Sequence, residues 1–137
     1  MTFPHSSTTS VFWEACKDRQ LLLRYCNACS MPFYYPRTGC PTCGSEDLAW
    51  RTSAGIGTVY THTRVEMALG APSWEAEIPY TVILVDLDEG VRMPSRLVGP
   101  HSDSVKIGDR VKVEFVERDG QALPYFILNS DNRPDAI

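Results

Sequence analysis

Alternation of apolar and polar positions dominates the C-terminal part of the chain. Val59, Thr61, Thr63 and Val65 alternate with Tyr60, His62, Arg64 and Glu66, and Val111, Val113 and Phe115 alternate with Arg110, Lys112 and Glu114. A period of two puts one set on the buried face of a strand and the other toward water. Pro79 to Leu87 is apolar on both parities, which predicts a strand buried on both faces or strongly curved, ended by Asp88-Glu89-Gly90. Val91 to Gly99 returns after that turn, and Asp119-Gly120 joins the strand around 110–115 to a last one, Pro124 to Leu128. Five strands with turns at this spacing predict a small barrel. Ala68 to Ile78, with Gly70, Pro72 and Trp74, reads as a long loop between the first two strands.

The N-terminal part is patterned differently. Residues 1–9 are rich in Ser and Thr without periodicity and read as a loose arm. Ser10 is placed to cap a helix of about two turns, with Phe12, Trp13 and Cys16 on one side and Lys17-Asp18-Arg19 at its end. The run Leu21 to Tyr25 leads into Cys26 as a strand. SMPFYYPRTG, closed by Pro36 and a turn at Thr38-Gly39, predicts a short hairpin, and Leu48 to Arg51 another short strand, which together make a three-stranded ribbon. The organisation is an arm and helix over 1–25, the ribbon over 26–53, and the barrel with its tail over 54–137.

Composition narrows the class. A chain of 137 residues with 43% hydrophobic and 22% charged residues is an ordinary globular protein, long enough to bury a core without disulfides. The formal charge of −4 has the wrong sign for a protein held mainly by phosphate contacts. The longest uncharged apolar stretch, Ile78 to Val85, is far shorter than the ~20 residues of a spanning helix. MTFPHSSTTS lacks the basic start and apolar run of a signal peptide, so the expected location is the cytoplasm, away from membranes.

The strongest chemical signal is C-x2-C-x10-C-x2-C at Cys26, Cys29, Cys40 and Cys43. Two-residue gaps let both sulfurs of a pair reach one tetrahedral ion, and four thiolates leave no position open for water, so the expected site is structural zinc, one per chain. Four unrelated thiols, a dithiol redox pair, and a rubredoxin-type or [2Fe-2S] iron site are the alternatives. Cys16, alone on the apolar side of the helix, reads as a buried small residue. No His or Ser is linked to it by any signature, and no phosphate loop, G-x-S-x-G or H-E-x-x-H is present; no catalytic residue is expected. Asp86, Asp88 and Glu89 read as a solvated turn. Lys17, Arg19, Arg24, Phe33, Tyr34, Tyr35, Arg37, Trp50 and Arg51 form a basic and aromatic set around the ribbon. Such a set suits single-stranded nucleic acid, or a coenzyme with a stacking base and phosphates.

The order helix, four-cysteine ribbon and five-stranded barrel, with VFWEACKDRQLLLRYCNAC, YYPRTGCPTCGSEDLAW, GIGTVYTHTRV, PYTVILVDLDEG and IGDRVKVEFVERDG, resembles the acyl-CoA-associated zinc-ribbon/OB-fold family over about residues 11–128. The resemblance implies a mainly β fold with a short N-terminal helix, a rubredoxin-like zinc ribbon and an OB-fold barrel. It implies a non-catalytic accessory subunit that docks on a thiolase-superfamily enzyme (a thiolase, an acyltransferase, a hydroxymethylglutaryl-CoA synthase system or a steroid side-chain aldolase), with acyl-CoA as a shared ligand. Cys26, Cys29, Cys40 and Cys43 match the family's metal ligands, Pro36-Arg37 its P-R step, and Phe12 and Trp13 its helix start. A two-fold partner would give an α2β2 assembly or larger. Phe12, Trp13, Leu69 and Trp74 are the expected partner contacts, and Arg37 and Tyr35 the expected substrate contacts. The alternatives are a nucleic-acid-binding module, which the acidic balance disfavours, and a self-sufficient acyl-CoA carrier or hydrolase, which lacks a nucleophile–base pair.

Overall fold

The computed structural model describes residues 6–67 and 76–129. Helix α1 runs Ser10–Lys17, with Phe12, Ala15 and Cys16 buried and Val11 turned outward. Ser10 is its first residue rather than its cap: Thr9 holds that position, without a side-chain bond to the helix. The far end closes as a Schellman turn. Gln20 N–H donates to Ala15 O and Arg19 N–H to Cys16 O, both at 3.0 Å, with Arg19 left-handed at φ 58°, so orphan carbonyls are satisfied and the chain reverses.

That reversal feeds strand β1 (Leu22–Cys26), which is central in an antiparallel sheet of order β2-β1-β3 with β2 (Pro32–Phe33) and β3 (Leu48–Thr52). The predicted hairpin within SMPFYYPRTG is not formed. Only Pro32 and Phe33 pair, and they pair with β1. Tyr34 instead packs edge-on against Phe12, ring centroids 5.8 Å apart, and the buried Pro36 has no N–H to extend a ladder.

Strands β4 (Ile56–Val65), β5 (Tyr80–Leu87), β6 (Arg92–Leu97), β7 (Arg110–Arg118) and β8 (Gln121–Leu128) close a barrel in the order β4-β5-β6-β8-β7. All neighbours are antiparallel except β6 and β8, parallel at Leu97↔Phe126. Of the two readings offered for β5, burial on both faces is corrected. Thr81, Ile83, Val85 and Leu87 are buried, while Tyr80, Val82, Leu84 and Asp86 are half-exposed, so an apolar outer face had masked an ordinary period of two. Asp119 and Gly120 (φ 51° and 81°) make the β7–β8 turn with both residues left-handed, as a tight hairpin requires.

One core joins the parts. Phe12, Cys16, Leu21 and Leu23 pack with Val59, Ile83, Val85, Met93, Leu97, Val111 and Phe126, so helix and ribbon base share the barrel's interior. A smaller cluster, Cys26, Phe33 and Cys40, lies at the ribbon's outer end. The acidic turn is more than solvated. Asp86 pairs with Arg92 and Asp88 with Arg110. Glu89 accepts from Ser53 Oγ (2.9 Å) and Ala54 N–H (2.8 Å), tying the ribbon-to-barrel linker to the β5–β6 turn. No helix among the described residues is long and apolar enough to cross a membrane.

Candidate functional site

The four knuckle cysteines converge because two turns carry them. The first follows β1, where Ser30 N–H bonds Cys26 O at 2.9 Å; in the second, Gly44 N–H bonds Cys40 O, also at 2.9 Å. Each turn ends in a left-handed residue, Ser30 at φ 63° and Gly44 at φ 79°, and the two are bonded together through neighbouring strands. All four Sγ atoms lie within 4.8 Å of one another, with Cys26–Cys43 and Cys29–Cys40 sulfurs 3.6 Å apart. Zn–S bonds of 2.3 Å at tetrahedral angles set sulfurs about 3.8 Å apart, so this donor set fits a zinc ion.

The electrostatics agree. Backbone N–H groups of Cys43 and Thr42 point at Cys40 and hold its thiol down to about 6; the Cys29 amide lowers Cys26 in the same way. Cys29 is pushed up to about 12, by burial first and then by its sulfur neighbours. Four thiolates this close coexist only around a cation. Cys16 is different: it is fully buried in the main core and burial raises it to about 12, the behaviour of a packing residue.

The other sequence-predicted residues are scattered. Phe12 is 2% exposed and meets Trp13 and Tyr34 edge to face; its ring belongs to the core, which corrects its assignment as a partner contact. Trp13 is half-buried against the same core. Leu69 and Trp74 lie outside the described residues. Tyr35 is 61% exposed beside Tyr34, at the end of an aromatic row running Trp13–Phe12–Tyr34–Tyr35. Arg37 is exposed near it in sequence.

Two arrangements of ribbon residues become visible only in the folded sheet. Arg24 lies over the Trp50 ring at 4.3 Å and Arg51 over the Tyr25 ring at 3.6 Å. The register pairs Arg24 with Trp50 and Leu23 with Arg51, so the two guanidinium–aromatic pairs occupy opposite faces of the sheet. A cleft of about 440 Å³ is lined by Leu23, Arg24, Tyr25, Ser30, Pro32, Arg51, Thr52 and Glu89, a size within the range of small-molecule sites. Sequence reasoning had the arginines and Trp50 as a set, but Tyr25 was missing from it; the signal was its place two residues after Leu23 on a strand.

Two family models cover most of the chain: residues 13–49 match the rubredoxin-like zinc ribbon domain of ChsH2, and residues 50–116 its C-terminal OB-fold domain. A chain of the solved "Ltp2-ChsH2(DUF35) aldolase" superposes with a TM-score of 0.80 at 33% identity, covering 93% of this chain and 98% of that one. A "Probable enoyl-CoA hydratase alpha subunit" of Thermomonospora curvata is 38% identical over 125 residues, 90% of this chain and 38% of that protein; this chain thus spans well under half of that relative's length. A "DUF35 domain-containing scaffold protein" of Methanocaldococcus jannaschii is 29% identical over 112 residues, 79% of this chain and 78% of that protein.

Proposed function

The chain belongs to the ChsH2-type (DUF35) family of acyl-CoA-associated zinc-ribbon and OB-fold proteins, and from that membership we propose that it is a non-catalytic accessory subunit of a thiolase-superfamily complex acting on acyl-CoA in the cytoplasm. The observation that carries this reading is the 33% identity and near-complete mutual coverage with a chain of an aldolase complex whose name pairs a ChsH2 DUF35 chain with Ltp2. The chemistry of the site agrees. Four thiolates saturate the metal, so one structural zinc per chain stabilises the ribbon and takes no part in reaction. Cys16 is buried in the core, unsuited to act as a nucleophile.

The enzyme partner is a thiolase, acyltransferase or aldolase subunit, and an α2β2 assembly follows from a two-fold partner. Within the layout 1–25, 26–53 and 54–137, Trp13 with Leu69 and Trp74 faces the partner, and Tyr35 and Arg37 reach the shared acyl-CoA, a guanidinium being suited to a phosphate. Co-expression with the thiolase-like subunit encoded nearest to this chain tests the reading. The expected result is a co-purifying complex more active on acyl-CoA than the partner alone. Separate elution, with the partner fully active by itself, overturns it.

A further inference from the structure

The cysteines differ in what can reach them. Cys16 is buried in the main core, and Cys26 and Cys40 are buried in the ribbon cluster; Cys29 is half-buried, and Cys43 alone is exposed. The knuckle amides sort the four ribbon sulfurs in the same order. Cys26 faces the N–H groups of Cys29 and Ala28, and Cys40 those of Cys43 and Thr42, whereas Cys29 and Cys43 face one each, from Met31 and Ser45. All four hold zinc as thiolates, so their reactivity is separated by access and by the hydrogen bonds that stabilise the anion and blunt its nucleophilicity. On both counts Cys43 is the sulfur most open to an electrophile arriving from solvent.

A second sulfur lies beside it. Cys26 Sγ stands 3.6 Å from Cys43 Sγ, and Cys29 Sγ 3.6 Å from Cys40 Sγ, so each of these close pairs joins one knuckle to the other. The ribbon tip has little else to hold it, since Cys26 and Cys40 make up most of its buried cluster, with Phe33 the remaining member. Chemistry at these sulfurs therefore acts on the tip and leaves the barrel core alone.

We infer that Cys43 is a site of oxidative modification by hydroperoxides, hydrogen peroxide being the simplest, and that its product is a Cys26–Cys43 disulfide which empties the zinc site. The Cys43 thiolate attacks one peroxide oxygen; the O–O bond breaks, hydroxide leaves, and Cys43 becomes a sulfenic acid. The Cys26 thiolate then attacks that sulfur, forming the S–S bond and expelling a second hydroxide. The two sulfurs lose two electrons, the peroxide gains them, and two protons from solvent convert both hydroxides to water. Cys29 and Cys40 remain as two donors where tetrahedral zinc takes four, and a second peroxide joins them in the same way. Each new bond crosses between knuckles, so both stay tethered, and a dithiol reductant with zinc restores the site.

The inference rests on the four-thiolate zinc site and is independent of the accessory-subunit reading. The test treats the zinc-loaded full chain with hydrogen peroxide, first below one equivalent and then to two, follows released zinc with a chromophoric chelator, traps sulfenic acid with a cyclic diketone, and maps disulfides by mass spectrometry after alkylating the remaining thiols. The expected results are trapped sulfenic acid at Cys43, Cys26–Cys43 as the first disulfide, complete loss of zinc by two equivalents, Cys16 still a free thiol, and recovery of the metal on reduction. A first disulfide at Cys29–Cys40 or within one C-x2-C unit, sulfenic acid on another cysteine, or zinc retained through two equivalents overturns the inference while the metal site stands. Cys16→Ala, which leaves the knuckles intact, is expected to lose zinc at the wild-type rate; slower loss would make Cys16 the reacting thiol and overturn the assignment to Cys43. A chain purified without zinc overturns the metal site and the inference with it.

Discussion

At the scale of single residues, two kinds of cysteine share one chain, and their surroundings separate them. Cys40 receives backbone N–H groups and is lowered to about 6, while Cys16 sits among Phe12, Leu21 and barrel side chains and is raised to about 12. Cys40→Ser is therefore expected to abolish stoichiometric zinc, whereas Cys16→Ala keeps one zinc per chain; elemental analysis of both proteins checks this, and zinc retained by Cys40→Ser would refute the four-thiolate site. The knuckles were legible from sequence because their chemistry is local: a two-residue gap fixes where both sulfurs point. The arginine–aromatic pairs were not, because Arg24 meets Trp50 only through the register of β1 on β3. Carboxylates give a second prediction at this scale. The Arg110 guanidinium, by hydrogen bonding first, holds Asp88 below the usual carboxylate range. A depressed folded pKa contributes stability above the unfolded value near 4, and the contribution is lost as pH falls through the folded value. With the carboxylate 49% and the arginine 30% exposed, solvent limits the effect to about 1 kcal/mol or less. Asp88→Asn should lower the denaturation midpoint slightly at pH 7, and the gap between the two proteins should narrow as acid protonates the carboxylate; a gap that does not change with pH would contradict the pairing.

At the scale of elements, the barrel's strands were readable where no bulge intervened. The strand around 111–115 alternates in sequence as it alternates in burial, and Asp119-Gly120 makes the tight turn its composition predicts. Strand β4 departs from its expected pattern after Val59: a register shift between Val59 and Thr61 sets His62 and Arg64 opposite the buried Ile83 and Thr81, so Thr61, Thr63 and Val65 do not keep the inward face their alternation predicts, and residues 62–64 are all exposed. Strand β5 was misread because Val82 and Leu84 are apolar yet half-exposed, and hydropathy alone does not tell which parity faces inward. The hairpin expected in SMPFYYPRTG failed for a tertiary reason: the Tyr34 ring is drawn to Phe12 on α1, a contact no local pattern encodes. The β4–β5 pairing also has a demand that its sequence hides. Gly57 lies opposite Leu87, and a Cβ there would come within 2.6 Å of Asp86 O and 2.7 Å of Val85 Cγ1. Gly57→Ala must push these strands apart and is expected to destabilise the chain by about 1–3 kcal/mol, as overpacking does. Gly90→Ala, with no atom within 4 Å but φ +92°, is strained through its backbone instead. Chemical denaturation measures both, and a Gly57→Ala protein as stable as wild type would show that the barrel wall yields at that point.

At the scale of the whole molecule, the boundary between cores does not follow the boundary between ribbon and barrel. Leu21 and Leu23, which lead into the first knuckle, pack with Phe12, Cys16 and the barrel interior. Only Cys26, Phe33 and Cys40, with Cys29 and Leu48 against them, form the outer cluster around the metal site. Glu89 adds a polar tie by gripping Ser53 and Ala54 in the linker, and Gly55 at φ +73° lets the chain pass close to Val113. The ribbon base is thus part of the barrel's folding unit, while its tip is too small to stay ordered by hydrophobic burial alone. Structural zinc contributes on the order of 10–16 kcal/mol of apparent binding free energy in isolated peptides at neutral pH, enough to account for the tip's order. Removing zinc with a strong chelator is therefore expected to act locally. Amide protection should vanish around the two knuckles and β2, while α1, the start of β1 and strands β4 to β8 keep theirs and a cooperative thermal transition survives. Hydrogen exchange resolved along the chain distinguishes this from global melting; loss of protection at Phe126 and Ile83 together with Cys26 would mean that the metal holds both cores.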